Sequence, residues 1–305
     1  MSIYYYHGDK VEFDKTAVAL GTFDGLHLAH MKIINKVKEY AALNNIKSGV
    51  HTFTEIPAKV MGKSECTRLI LNEDKAQMLS DMDFVYMETF DQPFYMKSPE
   101  EFVKYLKETL KAEAVAAGYN YRFGKAAEGD VDTLKKLCSH EGLKVFILEK
   151  SELIGEAVSS SRIRGLINDG DVKTAMTLLG RPYFITGVVE KGLQNGRKMG
   201  FPTANLAYQE DMTMPKNGVY IGFCTVEGKR NKAIINVGNN PTFNGTKIKI
   251  ECHLLKFDEY LYGKQMKVEF IDYIRGEICF ESKDLLQKQI EKDVKNAERK
   301  FKNYE

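Results

Sequence analysis

The sequence predicts an α/β protein with two domains: an open parallel sheet with helices on both faces, then a small antiparallel barrel and a terminal helix. In the first half of the chain, strand-like and helix-like segments alternate. In the second half, short strand-like runs are separated by Gly, Asn and Pro. The length of 305 residues also favours two domains, at about 150 residues each. The composition changes at Arg181-Pro182, so we expect the domains to span residues 1–180 and 181–305.

The elements of the first half follow from hydrophobic periodicity and capping signals. Ser98-Pro99-Glu100-Glu101 is a strong helix start, with a capping Ser, Pro at the first helical position and Glu three residues after the cap. Asp171 should cap the second of two short helices within residues 159–180, and Gly180 should end it. The predicted strands are 16–21, 49–53, 84–88, 112–117 and 144–148, and the other predicted helices begin near His30 and cover 73–82, 100–110 and 131–140.

The sequence of the second half predicts a small barrel followed by a C-terminal helix. Near the end of the chain, apolar residues recur at helical spacing and form one stripe, while charged residues occupy the opposite face. The predicted strands are 184–189, 218–226, 232–237, 247–255 and 265–274, and the stripe consists of Leu286, Ile290, Val294, Ala297 and Phe301.

Composition excludes several classes of protein. The formal net charge is only +2, so no global basic field indicates a nucleic acid or a membrane as partner. The five cysteines are scattered and include no CxxC pair, which argues against a disulfide framework or a Cys-based zinc site and favours reduced thiols in the cytoplasm. The N-terminus lacks the pattern of a signal peptide, and no run of about 18 apolar residues occurs. The oligomeric state stays open.

A first chemical site is predicted at residues 21–30, Gly-Thr-Phe-Asp-Gly-Leu-His-Leu-Ala-His. This string follows a strand and opens a helix, where ligands of α/β sheets bind and where backbone N–H groups attract phosphate. Gly21 and Gly25 allow tight turns, and His27 and His30 are three residues apart, so both can face one oxyanion. The string therefore indicates a triphosphate site. Other interpretations are a zinc-binding His pair, for which no third ligand is evident, and histidines that serve only as structural donors.

A second chemical site is predicted at residues 196–205, Gly-Arg-Lys-Met-Gly-Phe-Pro-Thr-Ala-Asn. Gly196 and Gly200 would make a loop that closes over phosphates. Thr203 and Asn205 would point to the same side if the segment Pro202–Leu206 is extended, and their oxygens suit Mg²⁺ held between ATP phosphates. From spacing alone, a Gly-rich hairpin followed by an edge strand is about as plausible.

The first string resembles the GxFDGxHxGH signature of nucleotidyltransferases, and more closely the adenylyltransferase half of bacterial FAD synthetases. Residues 118–124, Gly-Tyr-Asn-Tyr-Arg-Phe-Gly, resemble that family's G-x-[DN]-[FY]-x-FG segment, and residues 159–164, Ser-Ser-Ser-Arg-Ile-Arg, its SSTxIR segment. Alone, the latter could be an ordinary helix cap. Two positions depart from the family pattern: Ala29 replaces a Gly, and Ile56 precedes Pro57 where many members have His.

The second string resembles the GRxLGFPTAN segment of riboflavin kinases. Residues 236–243 resemble the NxGxxPTF segment that follows it in that family, and residues 250–254, Ile-Glu-Cys-His-Leu, resemble VExHL, in which the Glu is the general base. The segments at 261–263 and 275–277 continue the match. Both halves occur in the family's order, so the whole chain resembles bifunctional riboflavin kinase/FAD synthetases of the bacterial type.

The resemblance implies a Rossmann-like nucleotidyltransferase domain followed by a six-stranded antiparallel β-barrel domain with a C-terminal helix. It also implies that ATP and Mg²⁺ convert riboflavin to FMN, and that ATP then converts FMN to FAD. Alternatives are a riboflavin kinase whose first domain is impaired or acts on another phosphorylated acceptor, and a non-catalytic flavin sensor. The implied catalytic residues are Glu251, His27 and His30. In the first domain, the implied phosphate-binding residues are Gly21, Phe23, Asp24, Gly25, Ser159, Ser160 and Arg164, and the residues implied to lie near flavin and nucleotide are Asn120, Arg122 and Phe123. In the second domain, the implied phosphate-binding residues are Gly196, Gly200, Pro202, Thr203 and Asn205, of which Thr203 and Asn205 would also hold Mg²⁺.

Overall fold

A computed structural model of the chain describes residues 2–62, 66–191, 200–242, 245–302 and 304. By their contacts the residues form two compact units, Met1–Ser160 and Ser161–Glu305. All five cysteines are free thiols. None of the helices in the described ranges combines the length and apolar character that crossing a bilayer requires.

The first unit is built on an open sheet of six parallel strands, as the strand–helix alternation predicts. The strand at its edge, Ile3–Tyr6, was missed; it is only four residues long, and three of these residues are exposed. The strands are β1 (Ile3–Tyr6), β2 (Thr16–Leu20), β3 (Lys47–Phe53), β4 (Phe84–Glu88), β5 (Ala112–Gly118) and β6 (Lys144–Leu148), in the spatial order β1-β4-β3-β2-β5-β6, and a hairpin of β7 (Glu152–Leu153) and β8 (Glu156–Ala157) follows.

The four predicted helices of the first unit are present, whereas the short helices Pro57–Val60 and Gln92–Tyr95 were not predicted. Ser98 and Glu101 form the predicted capping box: each side chain accepts a hydrogen bond from the other residue's backbone N–H. One helix was predicted to reach residue 82 but ends at Met78, where the Ser2 hydroxyl donates to the carbonyl oxygens of Leu79 and Met82. The helices are α1 (Leu28–Asn44), α2 (Pro57–Val60), α3 (Asn72–Met78), α4 (Gln92–Tyr95), α5 (Pro99–Glu108) and α6 (Val131–His140), with a 3₁₀ turn at Lys125–Ala127.

Helices cover both faces of this sheet. Val18 and Leu20 of β2 share one apolar cluster with Leu106 of α5 and Leu134 of α6. Successive strand residues point to opposite faces, so the intervening Ala19 faces the other way. Helix α1 packs against β2, β3 and β5 from outside that cluster. The first chemical string therefore joins the end of a central strand to a helix packed on the sheet.

The second unit is a closed six-stranded antiparallel barrel, which confirms the predicted architecture. Strand β10 was not predicted outright; it begins at Ala204 and so overlaps the segment Pro202–Leu206 that was expected to be extended, with Pro202 and Thr203 just before the strand. Helix α8 packs against the first and last barrel strands, and the contacts accordingly divide the two units between Ser160 and Ser161. The domain boundary at Arg181-Pro182 stays a prediction. The elements are α7 (Ser160–Asn168), α8 (Val172–Leu179), β9 (Tyr183–Glu190), β10 (Ala204–Tyr208), β11 (Gly218–Val226), β12 (Lys229–Thr242), β13 (Gly245–Leu254), β14 (Gln265–Arg275) and α9 (Lys283–Phe301), and the barrel order is β10-β13-β12-β11-β14-β9.

Helix α9 is anchored to the barrel by apolar packing and by the ion pairs Arg275–Asp293 and Lys300–Asp272 to β14. Ala297 and Phe301 of the predicted stripe are buried in a cluster with Phe223 of β11. Arg275, at the end of β14, donates through Nη2 to Asp293 Oδ2 at 2.7 Å and through Nε to both carboxylate oxygens. Asp293 is buried, so this fork satisfies a carboxylate that would otherwise be costly to desolvate.

Candidate active sites

The loop between β2 and α1 adopts a backbone conformation that few sequences tolerate. Phe23 has φ 49°, Gly25 φ 85° and Leu26 φ 43°, all in the left-handed region. For Phe and Leu this region is sparsely populated, and strained residues of this kind cluster at ligand-binding sites. A Cβ added at Gly21 would lie 3.1 Å from the Phe23 ring, a tight contact, so glycine at this position leaves room for that ring. The Leu26 N–H donates to the Phe23 carbonyl oxygen at 3.3 Å, which closes a tight turn within the loop.

His27 and His30 lie together at the start of α1, as their spacing predicts. His27 is the N-cap, and its Nδ1 accepts a hydrogen bond of 3.3 Å from the His30 backbone N–H. The two imidazole rings stack with centroids 3.5 Å apart, and the Phe23 ring meets His30 edge-on at 5.2 Å. The Nδ1 atom of His30 is buried without a hydrogen-bond partner. A stacked pair with an unused nitrogen has capacity left for a ligand.

The electrostatic environment keeps His30 neutral near pH 7. Burial lowers the pKa of His30 well below its ordinary value, and electrostatic interactions with His27 and Lys75 lower this pKa further. An imidazole in this state can offer one N–H to a phosphate oxygen without bringing a full charge.

Asp24 connects the loop to two other segments. Its Oδ1 accepts from the backbone N–H of Leu69 at 2.9 Å, and its carbonyl oxygen accepts from the Ser160 hydroxyl at 2.8 Å. Asp24 is 4% exposed, so its role toward ATP would be to hold the loop in shape. Ser159 directly precedes Ser160, whereas Arg164 lies beyond the Ser160/Ser161 boundary on α7; the place of both in the nucleotide site stays a prediction.

The residues predicted near flavin follow β5 and differ in exposure. Asn120 and Arg122 are exposed just after the carboxyl end of that strand, and Arg122 Nη1 lies 3.8 Å from Asp130 Oδ2. Phe123 is buried in the apolar core, with its ring centroid 5.1 Å from that of Phe102. The side chains of Asn120 and Arg122 are therefore accessible to a ligand, whereas the buried ring of Phe123 packs in the core and supports the backbone of this segment.

Lys75 was missed by the sequence interpretation. It lies on α3 and is only 3% exposed, and its ammonium donates hydrogen bonds to the loop and to β3. In the sequence it follows Glu73 and Asp74, which is the usual composition of a solvated helix face. Only the structure shows that Lys75 is buried and bonded to the loop of the first site.

The second site is a row of polar residues across three neighbouring barrel strands. Asn205 of β10 is directly opposite Glu251 of β13, which in turn is opposite Asn236 of β12. Side chains directly opposite one another on adjacent strands share a face of the sheet. Register therefore gathers a carboxylate and two amides that are far apart in the sequence. Asn236 belongs to the NxGxxPTF-like segment but was not singled out as a site residue.

Polar groups in this row have capacity for a ligand. The Oδ1 atom of Asn205 is buried without a hydrogen-bond partner. Glu251 is about one-third exposed, and its Oε1 accepts from Lys249 Nζ at 3.4 Å. Nearby, a Cβ at Gly238 would come within 2.4 Å of Glu277 Oε1, so glycine is needed for this glutamate to approach the strand. Two segments that carry the family resemblance, residues 236–243 and 275–277, therefore lie close together at Gly238 and Glu277.

A cavity of about 320 Å³ adjoins Thr203. The carbonyl oxygen of Pro202 lies 2.8 Å from His253 Nδ1, which fixes the segment that enters β10. Gly200 has φ 82°, a conformation that suits glycine, while Gly196 lies outside the described residues. The cavity is lined by Pro202, Thr203, Ala204, Cys252, Leu254, Phe257, Asp258, Glu259, Tyr260, Leu261 and Tyr262.

Comparisons with protein-family models divide the chain in the same way as its contacts. A model described as FAD synthetase matches residues 9–162, and a model described as riboflavin kinase matches residues 179–301. Together they cover the residues of both predicted sites except Arg164, which lies between the two matched ranges.

Curated relatives match over nearly the full chain. A bifunctional riboflavin kinase/FMN adenylyltransferase of Bacillus subtilis (strain 168) is 34% identical over 98% of this chain and 96% of its own length. Proteins of the same description from Listeria monocytogenes and Haemophilus influenzae are each 33% identical, over 94% and 93% of this chain and 93% and 94% of their own lengths.

A solved structure also matches both units. The crystal structure described as a macrolide-efflux protein from Streptococcus pneumoniae is similar with a TM-score of 0.87 and 28% identity. The match covers 97% of this chain and 99% of that one.

Proposed function

Because the chain belongs to the family of bifunctional riboflavin kinases/FMN adenylyltransferases, we propose that its barrel site phosphorylates riboflavin and its loop site adenylylates FMN. The chain carries both transferase domains, and its substrates are riboflavin, FMN and ATP. The assignment of each reaction to its residues is supported by the matched ranges and by the polar groups with spare hydrogen-bonding capacity in each unit. Its free cysteines and the bacterial relatives support action in the cytoplasm.

In the kinase reaction, Glu251 would take the proton from the 5′-hydroxyl of the ribityl chain. The hydroxyl oxygen then attacks the γ-phosphorus of ATP, the bond between that phosphorus and the β–γ bridging oxygen breaks, and ADP leaves. Phosphoryl transfer depends mainly on positioning and on neutralising charge. The cross-strand row supports this role, since Asn205 and Asn236 flank the carboxylate on adjacent strands.

The kinase site also fits a divalent cation. The buried Asn205 Oδ1 without a partner is a neutral oxygen ligand of the kind that Mg²⁺ accepts, and the Thr203 hydroxyl is another. When bound there, Mg²⁺ would neutralise phosphate charge. The cavity beside Thr203 has apolar and aromatic residues in its wall, including Phe257 and Tyr260, so it suits the adenine ring of ATP. Gly196, Gly200 and Pro202 would then border the phosphates.

In the adenylyl transfer, a phosphate oxygen of FMN attacks the α-phosphorus of ATP. The bond between that phosphorus and the α–β bridging oxygen breaks, and pyrophosphate leaves with both electrons. The nucleophile is already anionic, so no strong base is needed, and catalysis rests on stabilising the developing negative charge. The residues proposed for this are His27, His30, Ser159, Ser160 and Arg164, with the backbone of Gly21, Phe23, Asp24 and Gly25 around the phosphates and Asn120 and Arg122 toward the flavin.

The observation that carries the proposal furthest is the stacked His pair at a helix N-terminus, with a buried ring nitrogen that no protein group uses. A labelling experiment tests both reactions. With riboflavin and Mg²⁺, ATP labelled at the γ-phosphate should give labelled FMN. With FMN supplied instead, ATP labelled at the α-phosphate should give labelled FAD and unlabelled pyrophosphate. Absence of FMN in the first reaction would contradict the assignment of the barrel, and absence of FAD in the second would contradict that of the loop.

A further inference from the structure

Lys75 is a buried cation beneath the loop of the first site. Its side chain is almost fully enclosed, yet its Nζ donates only to uncharged oxygens among the hydrogen bonds described: the carbonyls of Thr22 and Phe53, at 3.3 and 3.2 Å, and the Thr52 hydroxyl, at 3.2 Å. Removing an ammonium from water is costly, and apolar replacements of buried charges are often as stable or more stable. Retention of the charge at this place suggests a function beyond folding.

The position of these acceptors links Lys75 to the phosphate loop. Thr22 lies inside the loop, while Thr52 and Phe53 end the neighbouring strand β3. The Thr52 hydroxyl itself donates to the Thr22 carbonyl at 2.8 Å, so one ammonium and one hydroxyl share that acceptor. Lys75 thus joins the carboxyl ends of β2 and β3 at the point where the chain turns into its left-handed conformation.

We propose that Lys75 is a positioning residue for adenylyl transfer: it holds the Thr22 carbonyl and thereby the loop, and its positive charge attracts the ATP polyphosphate to that loop. The inference rests on the proposed function of the first site and names a residue to which no role has been given there. ATP brings several negative charges to a place where the neighbouring His30 is neutral. In an environment of low polarity, one fixed charge a few ångströms away changes anion affinity by about tenfold or more.

The charge of Lys75 is tuned to be lost at mildly alkaline pH. The pKa of Lys75 is lowered from 10.5 to about 8: burial is the main cause, the Asp24 carboxylate opposes the shift, and the positive charge of Arg68 adds to it. The imidazole of His30 is a further titratable group near Lys75, since the charge of Lys75 lowers the pKa of that ring. Lys75 is therefore charged at pH 7 and discharges as the pH rises through about 8. ATP binding to the first site should weaken over the same range.

The test compares Lys75→Met, which keeps the length of the side chain but removes its charge, with Lys75→Arg, which stays charged at every pH used. Lys104→Met, at an exposed lysine of α5, is the matched control. FAD formation from supplied FMN is measured at varied ATP from pH 7 to 9.5. Riboflavin phosphorylation by the same preparations is measured in parallel, and thermal unfolding reports whether the first unit is folded.

We expect Lys75→Met to raise the KM for ATP in FAD formation by about tenfold or more at pH 7, with a smaller change in kcat. In the wild type this KM should rise as the pH passes 8, and the rise should be absent from both Lys75 variants. Riboflavin phosphorylation and the Lys104→Met control should be unchanged. If Lys75→Met does not fold, the pH profile of Lys75→Arg decides.

Two results separate failure of this inference from failure of the proposed function. A wild type that forms FAD, with a folded Lys75→Met of unchanged KM or a Lys75→Arg variant that keeps the alkaline rise, would overturn the role of Lys75 alone. A wild type that forms no FAD from FMN would overturn the proposed function of the loop, and this inference with it.

Discussion

The loop site and the barrel site reach similar chemistry by opposite constructions. In the loop site, residues 21–30 are contiguous, and local backbone conformation places them: left-handed residues at Phe23 and Gly25, then an N-cap at His27. In the barrel site, three residues distant in sequence are placed by strand register, with Asn205 and Asn236 on either side of Glu251. The first site depends on a strained segment being supported, whereas the second depends on a hydrogen-bonded framework.

This difference decides what a substitution does. In the barrel, a side chain can change its chemistry while the ladder of backbone hydrogen bonds keeps its neighbours in place. In the loop, a side chain such as His27 carries a structural bond and a proposed chemical role together, so most changes alter both. Substitutions in the barrel site should therefore change the reaction rate with little change in stability, whereas substitutions in the loop site should change both.

The largest expected effect is at Glu251. Glu251→Gln removes the proposed base but keeps the size of the side chain, and we expect riboflavin phosphorylation to fall by about 10²–10⁴. FAD formation from supplied FMN should be unchanged, because that reaction is assigned to the other unit. Chromatography of both products measures the two rates, with Glu227→Gln, at an exposed turn, as the matched control. Normal FMN production by Glu251→Gln would remove Glu251 from the mechanism.

The next prediction separates the structural role of His27 as an N-cap from its proposed role in adenylyl transfer. His27→Ala should lower FAD formation by about 10²–10³ and also destabilise the first unit by about 1 kcal/mol through loss of the cap. His27→Asn keeps an acceptor for the His30 N–H, so it should restore stability while leaving FAD formation low. His30→Ala, which loses no cap, should match His27→Asn in rate. If His27→Asn recovers full activity, His27 acts only as a cap.

The same contrast explains how much the sequence could predict. Contiguous features were predictable: the loop string, the capping box at Ser98, the cap at Asp171 and the left-handed stop at Gly180 all depend on neighbours in the chain. Features that depend on tertiary contacts were missed or misplaced. The burial of Lys75 needs the fold of α3 against the sheet, the strand at Ile3–Tyr6 is recognised only through its pairing with β4, and the third member of the barrel row needs the register of β12.

A third prediction concerns the support of the loop site, at His51 on β3. Its ring is fully buried among aromatic rings, including those of Tyr86 and Phe94, and neither ring nitrogen has a hydrogen-bond partner. Burial lowers the pKa of His51 from 6.5 to about 3. The unfolded state therefore binds more protons between these values, and the first unit should lose stability as the pH falls below about 6.5.

His51→Leu should remove this acid sensitivity. At pH 5 the proton linkage amounts to about 2 kcal/mol, so the variant should unfold at a higher temperature than the wild type there, and by a smaller margin at pH 8. Thermal unfolding of the first unit at both pH values measures the effect. His140→Leu is the control, because this histidine is exposed on α6. An equal gain for His51→Leu at both pH values would show that packing, and not protonation, sets the difference.

The smallest expected effect is at Ala29, where the family pattern has Gly. Ala29 is the second residue of α1, so its methyl group stands close to the proposed phosphate position, and Gly is favoured where a ligand approaches the backbone closely. Alanine favours helix by up to about 1 kcal/mol over glycine. We expect Ala29→Gly to lower the free energy of unfolding of the first unit by up to that amount. The KM for ATP in FAD formation should fall by less than about tenfold, because a single methyl group displaces a phosphate only slightly.

Measuring the KM alongside thermal unfolding, with Ala42→Gly in the last turn of the same helix as the control for helix propensity, separates the two effects. A fall in KM shared by both variants would assign it to a looser helix, whereas a fall confined to Ala29→Gly would show that in this chain the methyl group at position 29 limits how closely ATP approaches the loop.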